Sequence, residues 1–278
     1  MILVNGATGN MGGPLVRELH ALGAGPVRAL TRDPERTAFP AGVRAVRGDL
    51  ARPESLKAAL RGVRSLFHPA LLGPDAEILR AARRAGVEHV VLVTSLTVLT
   101  HPHLEPARNH RAVERQLQES GMAWTILRPT QFASNALWWA ETVRAQETVR
   151  MPYPDTALPT VHPADVASVA RVALTEPGHR GLTHELTGPA PITPREQIAT
   201  LARVLGREVP FAGTTRAQAH REFAGFLGDD VADAMLDLLG GDMNEGLRRV
   251  RDTVTRLTGA PGRTFAEWAE EHVEAFRP

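Results

Sequence analysis

Apolar residues in this chain follow two alternating periods. Ile2-Leu3-Val4 is a short continuous apolar run, and after it Met11, Leu15, Val16, Leu19 and Leu22 recur at helical spacing. The same succession predicts further strands at 27–31, 43–46, 63–68, 89–95 and 123–127, with helices at 53–60, 75–85 and 107–120 between them. The run 89–95 is nearly all apolar, as suits a strand covered on both faces. Strand and helix in strict alternation imply right-handed crossovers and an α/β fold, a doubly wound parallel sheet. Later in the chain, helices are expected at 132–145, after Asp165 to 174, and at 193–205, 215–227, 230–239 and 264–276. Strands are expected at 182–186 and, as a short edge, at 209–211. Thr193 with Glu196 and Thr264 with Glu267 have the form of capping boxes. The expected organisation is a sheet-based core over 1–150 and a smaller, mostly helical C-terminal subdomain over 151–278, packed on the core, with 160–190 returning to the sheet.

Composition narrows the function classes. With 278 residues, 43% apolar and 23% charged, the chain has a globular balance and no sign of disorder. A formal net charge of +1 gives no broad basic field, so neither nucleic acid nor a membrane surface is an expected partner. The absence of cysteine excludes disulfides, thiolate metal sites and thiol nucleophiles, and accords with a cytoplasmic location. The N-terminus is taken up by the first strand rather than a signal peptide, and no apolar run reaches the ~20 residues of a membrane span. His101, His103 and His110 fit no zinc spacing, so no metal is expected.

The chemistry starts at the first strand–helix junction. Gly6, Gly9 and Gly12 are spaced G-x-x-G-x-x-G, a variant of the dinucleotide fingerprint. Glycines there let the backbone approach a ligand closely, and the first N–H groups of the helix, backed by its dipole, suit a pyrophosphate. In such a fold the end of the second strand meets the adenosine ribose, where an arginine accommodates the 2′-phosphate of NADP and an acid the 2′-hydroxyl of NAD. Arg32 stands at that position and favours NADP, with NAD possible. A solvated surface arginine is the alternative. Asp33, followed by Pro34 and Glu35, argues for NAD or serves as a helix N-cap. Asp49, at the end of the third strand, can reach adenine or order its own loop.

Several stretches together resemble the NmrA-like group of atypical short-chain dehydrogenases/reductases. They are GATGNMGG from Gly6, RALTRDP from Arg28, GDL from Gly48, VVLVTS from Val90 and HRAVERQLQESGMAWTILRP from His110, with HPADVASVARVAL and LTGPAPIT later on. The resemblance weakens after about Phe211. It implies a Rossmann-type core in which Gly6, Thr8, Gly9, Asn10 and Met11 hold the pyrophosphate and Arg32 the 2′-phosphate. It also implies that Asp49 and Leu50 flank adenine, while Ala70, Thr94, Ser95, Pro129 and Phe132 line the nicotinamide side. Ser95 keeps the place of the substrate-facing serine. Tyrosine-dependent members of the wider superfamily use a Tyr-x-x-x-Lys pair to exchange a proton with the substrate oxygen. Here His110 takes the lysine position and Pro106 the tyrosine position, and the single tyrosine, Tyr153, lies outside that helix. His110 then contacts the cofactor ribose, pairs structurally with Glu114, or acts as an acid.

Phe132, Trp138 and Tyr153 form a candidate pocket for a flat or aromatic small molecule, against the plainer reading that the adjacent tryptophans pack in the core. The resemblance favours an NADPH-dependent oxidoreductase acting on a small carbonyl, quinone or conjugated substrate. The missing tyrosine keeps two alternatives open: an NADP-binding sensor without turnover, and a non-redox cyclase or isomerase.

Overall fold

A computed structural model describes residues 1–70 and 73–278, with the side chains of Phe226 and Leu227 also left aside. Among the described residues the strands are β1 (Ile2–Val4), β2 (Val27–Thr31), β3 (Arg44–Arg47), β4 (Ser65–Pro69), β5 (His89–Val93), β6 (Ala123–Pro129), β7 (Val149–Pro152), β8 (Leu182–Leu186) and β9 (Phe211–Thr214). The helices used below are α1 (Gly12–Ala21), α2 (Asp75–Arg84), α3 (Thr97–Thr100), α4 (Glu105–Gln118), α5 (Ala140–Arg144), α6 (Pro163–Thr175), α7 (Pro194–Leu205), α8 (Arg216–Leu227) and α9 (Asp229–Leu236).

Seven strands form one sheet in the order β3-β2-β1-β4-β5-β6-β8, and each neighbouring pair is parallel. The order reverses at β1, which pairs Ile2 with Val27 on one side and with Ser65 on the other. In open parallel sheets the ligand crevice lies beyond the carboxyl ends of the strands at such a reversal. Asn5 and Gly6 follow β1 there, and Ala70 follows β4. The Asn5 N–H donates to the Phe67 carbonyl (3.0 Å) and the Ala70 N–H to the Val93 carbonyl (2.8 Å), so both exits are pinned to the neighbouring strand.

The apolar runs are buried as their pattern requires: every residue of β1, β2 and β5 is buried. Leu3, Leu30, Leu66, Val90, Leu92 and Ile126 from the sheet pack with Ile78 from α2 and Val113 and Leu117 from α4 in one core. Burial of each such side chain contributes about 1.5–3 kcal/mol. Gly48 follows from this packing, because a Cβ there would lie 2.6 Å from Leu30 Cδ1 and 2.9 Å from Leu56 Cδ2.

The chain divides into two compact units. The first comprises Met1–Pro129, Pro163–Leu186 and Thr253–Pro261, and the second Thr130–His162, Thr187–Asp252 and Gly262–Pro278. In the second unit β7 and β9 form a separate parallel pair, with Val149 opposite Phe211. The strand expected at 209–211 is thus shifted to Phe211–Thr214, and its partner β7 falls between the elements expected from the sequence. Its core holds the fully buried Trp268, stacked on His272 at 4.7 Å between ring centroids and packed with Phe265 and Phe276. Both expected capping boxes form, and Thr215 with Gln218 makes a third at the start of α8. The helix expected at 132–145 is a 3-10 segment over Ala133–Trp139 followed by α5.

Candidate functional site

The glycine turn after β1 is shaped by backbone demands. Gly6 adopts φ +64°, in the left-handed region that favours glycine. The Gly9 N–H then returns to the Gly6 carbonyl at 2.9 Å. A Cβ on Gly12 would lie 2.2 Å from the Gly6 oxygen and 2.9 Å from Ala7 Cα, so the helix start can close on the turn only with glycine there. α1 begins with no side-chain cap and no acidic residue in its first turn. Thr8, Gly9 and Asn10 are exposed and Met11 is half-buried. An exposed turn, an uncapped helix N-terminus and the absence of a competing carboxylate fit a bound pyrophosphate.

Around the turn, Arg32 follows β2, is exposed, and has no hydrogen bond or ion pair among the described residues. Its charge is available to a phosphate. Asp33 is engaged locally: Oδ1 accepts the Glu35 N–H at 3.3 Å, and its carbonyl accepts the Thr37 hydroxyl at 2.7 Å. No helix follows it, so the N-cap reading of Asp33 gives way to a turn closed by its own carboxylate. Asp49 likewise orders its loop, with Oδ1 accepting the Ala51 N–H at 3.1 Å and Oδ2 the Arg52 Nε–H at 3.2 Å. Leu50 and Ala70 are partly buried against the core.

The ends of β5 and β6 are tied by one carboxylate on α4. Glu114 is buried and accepts from Thr94 Oγ1 at 2.7 Å, Arg128 Nε at 2.9 Å and Arg128 Nη2 at 2.6 Å. Thr94 and Arg128 immediately precede Ser95 and Pro129, so this bidentate pair fixes both strand exits. No hydrogen bond between His110 and Glu114 is found among the described residues, although the charge of Glu114 acts on the His110 ring. The available sequence signal was an acid on the same helical stripe as the buried Ala107 and Leu117. Ser95 Oγ accepts from the Thr97 N–H at 3.2 Å and from the Thr97 hydroxyl at 2.9 Å, leaving its own proton to donate. His110 Nδ1 is buried and has no hydrogen-bond partner among the described residues. Burial holds its imidazolium form down, outweighing the opposing effects of Glu114 and Asp75.

A further buried chain lies at the β1/β4 exits. Asn5 Nδ2 donates to His68 Nδ1 at 3.1 Å, which leaves His68 Nε2–H to donate to Asp75 Oδ1 at 2.9 Å. Asn5 Oδ1 has no hydrogen-bond partner among the described residues. Asn5 sits directly before Gly6, so this chain braces the glycine turn, a role that no local pattern in the sequence announces.

In the second unit Phe132 and Trp138 line a narrow cavity together with Gln131, Trp139, Met151 and Leu239. Tyr153 is not among its lining residues. Its backbone holds φ +51°, and its hydroxyl accepts from Arg216 Nη1 at 3.1 Å, while Arg216 also binds Asp237 at 2.8 Å and Asp233 at 2.9 Å. The structure therefore brings together two of the three expected pocket aromatics and engages the third elsewhere. A second cavity, of about 640 Å³, includes Trp138, Trp139, Phe223, Met235 and Leu239 in its lining.

Residues 6–177 match a family model described as NAD(P)H-binding. The chain belongs to this family. It is 39% identical to a (4-alkanoyl-5-oxo-2,5-dihydrofuran-3-yl)methyl phosphate reductase of Streptomyces griseus, with 100% of each chain covered. It is 37% identical to an NAD(P)H azoreductase of Xenophilus azovorans, with 99% of each covered. Among solved structures it resembles the NADPH-dependent quinone oxidoreductase QOR2 of Escherichia coli in complex with NADPH. That match has 26% identity and a TM-score of 0.80, covering 98% of this chain and 99% of the other. The atypical short-chain dehydrogenase/reductase kinship and the doubly wound fold expected from the motifs both hold.

Proposed function

We propose that the chain is an NADPH-dependent reductase that passes hydride to a small conjugated acceptor, a quinone in the simplest case. The observation that carries this reading is the uncapped glycine turn at the sheet's switch point, with the unpaired Arg32 at the next strand end. Gly6, Thr8, Gly9, Asn10 and Met11 hold the pyrophosphate, and Arg32 selects the 2′-phosphate. Leu50 and the backbone around Asp49 flank adenine, while Ala70, Thr94, Pro129 and Phe132 serve the nicotinamide side. When bound, NADPH supplies the hydride.

The chain's own residues orient the acceptor and manage the proton. Ser95, whose oxygen is already turned toward Thr97, orients the acceptor through a hydrogen bond from its hydroxyl to the acceptor oxygen. His110, a neutral imidazole at neutral pH, uses Nδ1 on the cofactor ribose. Tyr153 accepts from Arg216 and is given no part in the proton transfer. A missing general acid costs about 10²–10⁴ in rate, so acceptors whose reduced form is a stable anion are favoured, with water completing protonation. Quinones meet that condition. Relatives named as an azoreductase and a quinone oxidoreductase support a flat, aromatic small molecule. We assign cofactor binding to the 1–150 core with the 160–190 return, and the acceptor's walls to 151–278 together with Phe132 and Trp138. The cysteine-free composition supports a cytoplasmic setting; among the described residues no helix is long and apolar enough to cross a membrane.

The test is NADPH oxidation by the purified protein over a panel of quinones and conjugated carbonyls. Saturable turnover that is faster with quinones supports the proposal. Tight NADPH binding without consumption would replace it with the sensor reading, which the missing Tyr-x-x-x-Lys pair favours.

A further inference from the structure

The 640 Å³ cavity of the second unit lies within the range of small-molecule sites, and its lining has their character. Trp138, Trp139, Val149, Met151, Phe223, Met235 and Leu239 supply apolar and aromatic walls. Trp138 is 62% exposed despite its large apolar ring system. A tryptophan left in water at the mouth of an apolar cavity offers an open ring face. Trp139 is held in place by its indole N–H, which reaches Met151 Sδ at 3.3 Å. Four lining residues, Trp138, Trp139, Met151 and Leu239, also line the narrow cavity that holds Phe132.

The charged groups of this cavity are Glu147, Glu222 and Arg150. All are exposed, and none has an ion pair among the described residues. Two unpaired carboxylates against one guanidinium give the mouth a net negative character. Tryptophan faces add attraction for a flat cation through their quadrupole.

We propose that this cavity binds a planar, multi-ring aromatic cation, stacked on Trp138 with its charge toward Glu147 and Glu222. This deepens the reductase reading by naming an acceptor class: delocalised cationic ring systems rather than sulfonated, anionic ones. The dissociation constant of methylene blue, a phenothiazinium cation, is measured by calorimetry on the full chain without cofactor, beside 1-anilinonaphthalene-8-sulfonate as the anionic probe. Methylene blue binds and the sulfonate binds at least about tenfold more weakly. Glu222→Gln and Glu147→Gln each weaken methylene blue by about threefold, in line with exposed charge contacts. Trp138→Ala weakens it by about tenfold through the lost ring face. Circular dichroism confirms that each variant is folded, and a variant that is not is replaced by Glu222→Ala or Trp138→Leu. Equal affinity for the two probes, or cation affinity unchanged in both glutamine variants, would overturn the proposal. NADPH turnover with the uncharged quinone menadione is followed in parallel. If it persists while dye binding fails, the acceptor class falls and the reductase reading stands. If NADPH neither binds nor is consumed while the dye binds as expected, the reductase reading falls and the cavity assignment stands.

Discussion

Replacing Glu114 by glutamine probes how the strand exits are held. The carboxylate has 3% and the Arg128 guanidinium 14% of its side-chain surface exposed, so solvent screens the pair little. Glutamine preserves the shape but removes the charge, turns one acceptor into a donor, and leaves Arg128 partly buried without a counter-ion. Breaking one partner of a buried pair costs about 3–5 kcal/mol, more than the pair itself contributes, because the remaining charge stays desolvated. For a domain of this size each kcal/mol moves the melting temperature by about 2–4 °C, so a fall of about 10 °C is expected. The assay is thermal and urea unfolding followed by circular dichroism, with Arg128→Met and the double variant completing a cycle. The double variant is expected to recover most of the loss, since an uncharged pair of similar volume leaves no buried ion. A Glu114→Gln loss below about 1 kcal/mol, or strict additivity in the double variant, would refute the argument that these charges are desolvated and coupled.

Three other outcomes follow from the same structure. Gly12→Ala places a methyl 2.2 Å from the Gly6 oxygen and is expected to cost about 3 kcal/mol and abolish NADPH binding by calorimetry. Gly9→Ala, whose methyl would be 3.3 Å from the same oxygen, is much milder. Arg32→Ala should weaken NADPH by about 10–100-fold and leave NADH nearly unchanged in a titration, because the lost contact is charge-assisted and specific to the 2′-phosphate. His89, His162 and His184 are each held to a pKa of about 4, first by burial and then by nearby cationic groups. The folded state resists protons that the unfolded chain accepts at its ordinary pKa of about 6.5. Stability is therefore fully present above about pH 6.5 and falls as pH drops toward 4. Urea midpoints at successive pH values should trace that fall, and a flat profile between pH 7 and 4.5 would contradict the burial of these rings.

The sheet was legible because its signals are local. Ile2-Leu3-Val4 and His89–Val93 are apolar on both faces, and the glycines after β1 announce a turn that the backbone then requires at Gly6 and Gly12. The expected order of strands and crossovers needed nothing beyond that periodicity. What escaped depends on partners far along the chain. β7 has only the alternation Val149-Arg150-Met151 before a proline, and it becomes a strand because β9, some sixty residues later, pairs with it. Tyr153 looked free for a pocket until Arg216 claimed its hydroxyl. Asp33 had the residues of a helix cap but closes a turn, its carboxylate taking the Glu35 N–H while Thr31 and Thr37 bind its carbonyl. Glu114 and Arg128 meet across α4 and β6, and a charge in the sequence does not show whether it will be buried. The candidate cofactor residues sit at strand ends and were legible. The braces behind them, Asn5-His68-Asp75 and Thr94-Glu114-Arg128, were not.

The central claim is that hydride leaves NADPH on this chain although the superfamily tyrosine is absent. Single-turnover kinetics with NADPH deuterated at the transferable C4 position and menadione as acceptor test it most directly. The account predicts stoichiometric NADPH oxidation with a primary isotope effect on the chemical step and loss of the label from the cofactor. Saturated NADPH binding with no oxidation in the presence of acceptor would contradict it.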